Sequence, residues 1–415
     1  GRLRWAGGAY DVSAYLGVSH VAGDSLAILG LQRSSRRYFQ RPDADYVEVE
    51  SGRTSLTGVT AGINHSKLAG NWRWDVDYTY ESPELELNDI GALGSADDQA
   101  LFADLWYRHT RPGPVLHNWD AGLFYASGWN FGGVRNFTDF GGWFNATFKN
   151  FWRSGVELEI LPRGLSDAQT RGGPLMRTAR WWELDAFLAS RSGARTRWEA
   201  SASYAADELG GHTTELGVEL SFRPGTRWEV SLEPGYERTV EPRQYVTTRS
   251  GGSAATFGGR YVFARIERSE IVTQVRLNYA VTADLTLEGY LEPFASSGRY
   301  GEFGELAAAR TFGLRRYGTD GTTITRNGDS TYTVTDGASQ FSFGVPDFDV
   351  RSLRSNVVVR WEWQTGSTLF LVWQQNRFRR GIPAADVGPD GLWDAFRAPG
   401  DHFVALKVSY WIPVR

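Results

Sequence analysis

The chain has 415 residues, with 48 Gly, 17 Trp, 18 Tyr, 23 Phe and no Cys, and its formal net charge is −4. The lack of cysteine excludes a disulfide scaffold, a thiolate metal site and a cysteine nucleophile, and the net charge offers no basic surface for nucleic acid. No run of about eighteen apolar residues is present, which excludes a transmembrane helix.

Residues 71–82, NWRWDVDYTYES, alternate large aromatic side chains with charged ones. Successive side chains of a strand point to opposite faces, so this pattern predicts a strand with one apolar and one polar face. A soluble antiparallel sheet has the same pattern, and this stretch alone does not separate the two cases. The alternation recurs through the chain, for instance over 198–204, 216–222, 271–281 and 404–412.

The recurring pattern predicts an all-β chain of about eighteen strands (16–18), most of them ten residues or longer. Soluble strands usually run about five or six residues, whereas strands that cross a membrane need about nine to eleven. Length therefore favours a transmembrane antiparallel β-barrel. The predicted strands are 1–7, 9–21, 25–37, 53–66, 69–82, 98–110, 116–129, 137–149, 151–162, 179–192, 195–208, 212–224, 226–245, 259–282, 285–297, 353–365, 367–380 and 401–414.

The connections between these strands alternate between short turns and long polar links. This rhythm is typical of an outer-membrane barrel with short periplasmic turns and long extracellular loops, and it predicts one barrel domain over 1–415. Two segments fit this alternation less well. The link at 209–211 is short although it should be extracellular, and 259–282 must count as one long strand. The predicted long links are 38–52, 83–97, 130–136, 163–178, 246–258, 298–352 and 381–400.

The longest link, 298–352, is predicted to carry structure of its own. Residues 322–335 predict a hairpin around Asn327-Gly328, a pair favoured in type I′ turns. Residues 302–314 predict a short helix, since apolar side chains recur there at helical spacing. Such a helix would either enter the lumen, meet a partner or lie on the surface.

The sequence GDSL at 23–26 matches the serine motif of a hydrolase family. That family needs alternating helices and a late Asp and His three residues apart, whereas Asp401 and His402 are adjacent here. We therefore expect Ser25 only to begin a strand after a tight turn, and we predict no catalytic residue and no enzyme activity.

No metal or cofactor site is predicted either. The six histidines are dispersed without ligand-like spacing, although His109 and His117 flank one turn, and two histidines alone are weak evidence for zinc. Asp386, Asp390 and Asp394 stand at a spacing of four in a loop that matches no EF-hand pattern, so a solvated turn is the preferred interpretation over a calcium site.

If the alternate strand positions that carry the aromatic side chains face lipid, the positions between them line the lumen. The predicted lumen charges then segregate into an acidic arc and a more basic arc, and such charges set the selectivity of a pore. The sequence leaves open whether the lumen conducts or is plugged. The predicted lumen-lining residues are Arg73, Asp75, Asp77, Glu157, Glu159, Glu183, Asp185, Glu199, Glu215, Glu219, Glu229, Glu233, Glu237, Arg276, Glu288, Arg354, Arg360, Glu362 and Lys407.

Five stretches resemble a known family: SRRYFQRPDADY at 35–46, ELELNDIG at 84–91, RLNYAVTADLTLEGYLEPF at 276–294, SLRSNVVVRWEWQTGSTLFLVWQQ at 352–375 and KVSYW at 407–411. Together they resemble the C-terminal outer-membrane barrel of a large, uncharacterised bacterial family. In that family an N-terminal periplasmic domain, similar to a family-nine carbohydrate-binding module, precedes the barrel. The resemblance brings no established substrate or catalytic residue.

The resemblance and the strand pattern together imply a Gram-negative outer-membrane barrel that acts as a channel or translocation conduit for saccharide-related solutes. The alternative is a plugged barrel that serves as a membrane anchor or as a structural subunit of a cell-envelope complex. The expected partners are outer-membrane lipid, an upstream carbohydrate-binding-like domain of a longer precursor and other envelope proteins, with no nucleic acid.

Overall fold

The computed structural model describes residues 1–88, 91–381 and 386–412. In chain order its elements are β1 (Arg2–Trp5), β2 (Tyr10–Ala22), α1 (Ser25–Gln32), β3 (Ser55–Lys67), β4 (Trp72–Glu81), β5 (Asp98–His109), β6 (Leu116–Trp129), β7 (Arg135–Phe148), β8 (Arg153–Leu161), β9 (Leu165–Ser166), β10 (Met176–Arg177), β11 (Trp181–Ala189), β12 (Thr196–Asp207), β13 (His212–Phe222), β14 (Trp228–Ser250), β15 (Gly259–Ala280), β16 (Leu285–Leu306), β17 (Leu314–Arg316), β18 (Thr322–Arg326), β19 (Thr331–Asp336), β20 (Ser339–Gly344), β21 (Phe348–Gln364), β22 (Ser367–Arg380), α2 (Pro389–Ala395) and β23 (Gly400–Ser409).

A single antiparallel sheet of 18 strands dominates the described part of the chain. Its long strands follow one another in up-and-down order, and β17 pairs only with the last residues of β16. The all-β prediction, with a barrel of roughly sixteen to eighteen antiparallel strands, is confirmed. Two small sheets, β9–β10 and β18–β20, lie in the long connections.

Alternation along each strand separates two faces of the sheet. In β11 the even-numbered side chains, such as Leu184 and Leu188, are exposed, while their odd-numbered neighbours are half-buried. The same face of the strand is therefore exposed throughout β11. The predicted long strand over 259–282 is confirmed as β15, a single strand of 22 residues.

The two edges of the large sheet are β1 and β23. Tyr10–Ser13 of β2 pair with β1, and Gly1 and Ala14 extend that ladder by two backbone hydrogen bonds of 2.7 and 2.9 Å. Along its other edge β23 has no ladder partner among the described residues. Neither helix in the described ranges has the length and apolar character needed to cross a membrane.

The predicted strand at 25–37 is wrong, because residues 25–32 form the helix α1. Asp24 caps this helix: its Oδ1 accepts a hydrogen bond of 2.9 Å from the amide of Ala27. Ile28 is buried against Phe39 and Leu56. The prediction failed because 25–32 is an almost continuous apolar run, whose period alone does not distinguish a buried strand from a helix.

The predicted helix at 302–314 is also wrong, because β16 continues to Leu306 and β17 follows. Phe303 and Leu306 pack into two different clusters, so both sides of the strand end are covered and the polar alternation is lost. Residues 322–326 and 331–336 pair as a hairpin, and β20 adds a third strand. Its turn is not type I′: the amide of Asn327 bonds to the carbonyl of Thr331, and Ser330 takes the positive φ of 62°.

Three predicted segments fall partly on residues outside the described ranges: 89–90 of the ELELNDIG stretch, 382–385 of the last long link and 413–414 of the last predicted strand.

Candidate functional site

The cross-strand register places all of the predicted lumen-lining residues on one face of the large sheet. Residues directly opposite each other in an antiparallel ladder share a face. One such row runs from Glu157 through Asp185, Ser203 and Glu215 to Glu237. We call this face the polar face and the opposite one the apolar face.

The predicted residues are distributed over many strands of the sheet. The polar face carries Arg73, Asp75 and Asp77 on β4, Glu157 and Glu159 on β8, Glu183 and Asp185 on β11, Glu199 on β12, Glu215 and Glu219 on β13, Glu229, Glu233 and Glu237 on β14, Arg276 on β15, Glu288 on β16, Arg354, Arg360 and Glu362 on β21, and Lys407 on β23.

Two adjoining cavities, of ≈ 530 and ≈ 540 Å³, lie against the polar face between β5 and β15. They share Trp143, Asn145 and Glu157. Their described linings contain no Lys, Arg or His side chain. We call their carboxylates the acidic arc: Asp104, Asp139, Glu157, Glu159, Asp185, Glu199, Glu215, Glu237 and Glu270.

Within the acidic arc, carboxylates stand directly opposite carboxylates on neighbouring strands. Glu157 faces Asp185, and Glu215 faces Glu237. Like charges directly opposite each other destabilise a sheet, because the two negative charges repel at the distance of a cross-strand pair. A sequence that keeps this conflict loses stability at that place, and such places are where functional sites are expected.

Only part of the acidic arc is compensated by cations. Arg268 pairs with Glu237, and Arg153 lies 3.5 Å from Glu199. Glu157, Asp185 and Glu215 form no ion pair within the described ranges. Glu229, on the polar face outside the two cavities, is neutralised more fully, because it contacts two arginines, Arg197 at 3.4 Å and Arg223 at 2.5 Å.

Aromatic rings accompany the acidic arc, and glycines on neighbouring strands make room for them. A Cβ at Gly122 would clash with the ring of Trp143, and a Cβ at Gly141 would clash with the ring of Phe124. The two rings stack with centroids 6.3 Å apart and an angle of 27°. A larger residue than glycine at either position would displace these rings, so glycine is needed there for the rings to pack against the strands β6 and β7.

Part of this site was not predicted from the sequence. The unpredicted residues are Asp104, Asp139 and Glu270, with aromatic side chains that share their face, such as Phe102 and Trp106. The alternation around Asp104 was hidden because residues 101–106, LFADLW, place apolar side chains on both faces of the strand. A count of charged residues on every strand, whatever its alternation, would have found the acids.

The long connections lock together through a buried ion cluster. Arg41, whose side chain is 3% exposed, contacts Asp97 at 2.6 Å, Asp167 at 2.7 Å and the hydroxyl of Tyr46 at 2.9 Å. Burial raises the pKa of Asp97 above its ordinary value, although Tyr46 and Arg41 oppose that shift. The cluster joins the connections 33–54, 82–97 and 162–180, and we call it the loop clamp.

The loop clamp continues across further connections. The amide of Leu175 donates to a carboxylate oxygen of Asp43 at 2.9 Å, and its carbonyl accepts from the amide of Arg310 at 2.7 Å. Connections that leave β2, β8 and β16 are therefore linked, although these strands are distant in the sheet.

The other residues considered from the sequence have structural contacts. Ser25 lies in the first turn of α1 and does not begin a strand. His109 stacks on Trp119 at 5.5 Å and His117 lies 5.2 Å from the ring of Phe151.

The three aspartates at a spacing of four are divided between different partners. Asp386 pairs with Arg238 at 2.7 Å, and Asp394 lies 3.6 Å from Arg379. Asp390 lies in the first turn of α2. The described residues contain no group of three or more side chains able to hold a metal ion.

Three solved outer-membrane proteins are similar to this chain at low identity. A bacterial polysaccharide outer membrane secretin is 11% identical over 95% of this chain and 96% of its own, with a TM-score of 0.33. The siderophore receptor PirA from Acinetobacter baumannii is 9% identical over 98% and 69%, with a TM-score of 0.43. The outer membrane channel DcaP of Acinetobacter baumannii is 10% identical over 98% and 97%, with a TM-score of 0.31.

A search of curated proteins finds no match. A family model matches almost the whole sequence, from residue 22 to residue 415. The chain therefore belongs to the family described as Domain of unknown function (DUF5916).

Proposed function

We propose that this protein is an outer-membrane β-barrel that conducts small solutes, with a preference for cations, along its polar face. The observation that carries the proposal is the acidic arc: carboxylates directly opposed across strands, several of them without a counter-ion, beside two open cavities. A wall of uncompensated carboxylates attracts cations and repels anions, as in other cation-selective pores.

The apolar face supports the membrane placement. Leu123, Leu216 and Leu406 are 66%, 51% and 64% exposed, which is costly in water and favourable against lipid chains. Such side chains recur on strand after strand, and the exposed apolar surface is therefore a band around the sheet and not an isolated patch.

Aromatic rings lie along one border of this apolar band, at the end of the sheet where short turns connect the strands. Trp72 and Tyr107 lie 5.2 Å apart, Trp152 and Trp198 5.1 Å apart, and Trp228 stacks on Tyr279 at 3.8 Å. Near the long connections Trp182 lies 5.7 Å from Tyr204. Two aromatic girdles at the membrane interfaces are typical of outer-membrane barrels, in which the short turns face the periplasm.

The proposal includes saccharide-related solutes and an upstream carbohydrate-binding-like domain only because the sequence resembles a family with that arrangement. The second candidate function is a closed barrel that anchors or builds an envelope assembly. The loop clamp favours it, since linked connections at one end of the barrel would narrow the entrance.

Single-channel recording in planar bilayers tests the conduit. We expect ion current from folded protein and a reversal potential in a salt gradient that indicates cation preference. Folded, inserted protein without current would reject the conduit and favour the closed barrel.

Selectivity tests the acidic arc directly. The triple variant Glu157→Gln, Asp185→Asn and Glu215→Gln removes three carboxylates of the acidic arc that have no ion pair in the described ranges, and we expect the cation-over-anion permeability ratio to fall by about half or more. The control variant Glu288→Gln and Glu362→Gln changes carboxylates of the polar face that do not line the cavities, and a smaller change is expected. An equal fall in both variants would show that the acidic arc does not set selectivity.

A further inference from the structure

We propose that the place where the two cavities meet, at Trp143 and Glu157, is a binding site for an organic ammonium ion. The inference rests on the proposed function, since it requires that solutes reach the polar face. It goes further by naming a chemical class of solute and a binding position.

Trp143 and Glu157 are direct neighbours across the β7–β8 ladder, and both line both cavities. A bound group at this position therefore meets an indole ring and a carboxylate from adjacent strands. Asn145, two residues after Trp143 on the same face, also lines both cavities and adds an amide.

The ring of Trp143 is held in place by the wall behind it. It occupies the space that a side chain at Gly122 would need, and it stacks with Phe124, whose own ring fills the space beside Gly141. A ring fixed in this way loses little conformational freedom when a ligand binds, so a contact with it has a low entropic cost.

The charge around this ring selects a cation. Glu157 and its cross-strand partner Asp185 have no ion pair in the described ranges, and Asp104, Asp139 and Glu159 line the second cavity. An anion would be repelled at this position, and a neutral solute would leave the opposed carboxylates unbalanced.

A small inorganic cation would meet the carboxylates but gain little from the rings. An ammonium ion with methyl or methylene groups satisfies both, because the indole face attracts the cation while its alkyl groups cover apolar surface. Aromatic side chains are what proteins use to recognise quaternary ammonium groups.

The test is isothermal titration calorimetry of the folded full chain in detergent, with choline as the probe. The matched control ligand is 3,3-dimethylbutan-1-ol, which has the shape of choline but no charge. We expect saturable binding of choline and at least about fivefold weaker binding of the neutral alcohol.

Variants locate the site. Glu157→Gln keeps the shape of the side chain and is expected to weaken choline binding about fivefold or more, and Trp143→Leu by a similar factor. Glu288→Gln, on the polar face outside both cavities, is the control and is expected to bind choline as the unchanged protein does. If Trp143→Leu does not fold, Glu157→Gln and the two ligands still decide the question.

Equal binding of choline and its neutral analogue, or unchanged binding by folded Glu157→Gln, would overturn the proposal. Saturable binding of maltotriose without binding of choline would overturn it in favour of a saccharide site. Failure of the site is distinguishable from failure of the conduit: ion current without choline binding rejects the site alone, whereas choline binding without current rejects the conduit and keeps the site.

Discussion

Asp24 decides the local structure after β2. Its carboxylate satisfies one of the amide groups that a helix leaves without partners at its start, which stabilises α1 in a segment whose apolar run is compatible with either a strand or a helix. Ser25 follows in the first turn of α1.

Replacing Asp24 by Ala removes the cap, and we expect α1 to lose about 1 kcal/mol of stability. Hydrogen exchange of the amides in 25–32 measures the loss as faster local opening. Asp24→Asn retains a capping oxygen and Ser25→Ala leaves the cap intact, so both should exchange nearly as the unchanged protein does. Faster exchange in Ser25→Ala than in Asp24→Ala would contradict this role.

Arg41 holds the loop clamp at the residue scale. Removing it leaves the buried carboxylate of Asp97 and the half-buried carboxylate of Asp167 without their cation. Breaking a buried ion pair by removing one partner usually costs about 3–5 kcal/mol.

We therefore expect Arg41→Met to expose the connections 33–54 and 82–97 to limited proteolysis much faster than in the unchanged protein. Arg53→Met is the control, since Arg53 contacts a largely exposed Glu50 at 3.5 Å and such pairs contribute little. Equal protection of Arg41→Met and the unchanged protein would show that the clamp does not hold these connections.

At the scale of elements, the sheet β18–β20 is tied to the large sheet by charge as well as by packing. Asp336 on β19 contacts Arg260 of β15 and Arg315 of β17, both at 2.8 Å. Val334 and Phe343 bury against Val262 and Phe303 beside this cluster. The two guanidinium groups lower the pKa of Asp336 from 3.8 to about 2.

This pKa predicts a pH dependence for the sheet β18–β20. A carboxyl group whose pKa is lower in the folded state contributes stability that is complete above its unfolded pKa and is lost as pH falls through the folded pKa. We expect exchange protection of 331–336, corrected for intrinsic rates, to decline between about pH 4 and pH 2. Asp336→Asn should flatten this decline, and an unchanged decline in that variant would assign it to other groups.

At the scale of the whole molecule, the two faces of one strand should respond to charge in opposite ways. Leu216 is 51% exposed on the apolar face, and Glu215, its neighbour in sequence, lies on the polar face. An arginine against lipid near the middle of the bilayer costs about 2–4 kcal/mol, while a hydrated wall accepts it.

We expect Leu216→Arg to reduce the yield and stability of protein folded into lipid vesicles, measured by urea titration and by heat-modifiable migration in gels. Glu215→Arg should fold nearly as well as the unchanged protein, since it also relieves the repulsion with Glu237. The opposite order of the two variants would contradict the assignment of the apolar face to lipid.

Much of the fold was predictable because the strand period is local. Strands β6 and β22 coincide with the predicted 116–129 and 367–380, and side chains such as Glu157, Glu215 and Arg360 share a face as the alternation requires. Prediction failed where tertiary contacts cover both sides of a strand, as at Phe303 and Leu306. Both faces of the strand are buried there and carry apolar residues, so the alternation with polar residues is lost.

The sequence by itself determined the all-β class, the positions of most long strands and the shared face of the predicted charged residues, because all three follow from side chains alternating along one chain. Only the tertiary structure decided that Glu157 stands against Asp185, that Trp143 lies over Gly122 and that Arg41 joins Asp97 to Asp167. These contacts depend on the register between strands and on the packing of distant connections, and no local pattern encodes either of them.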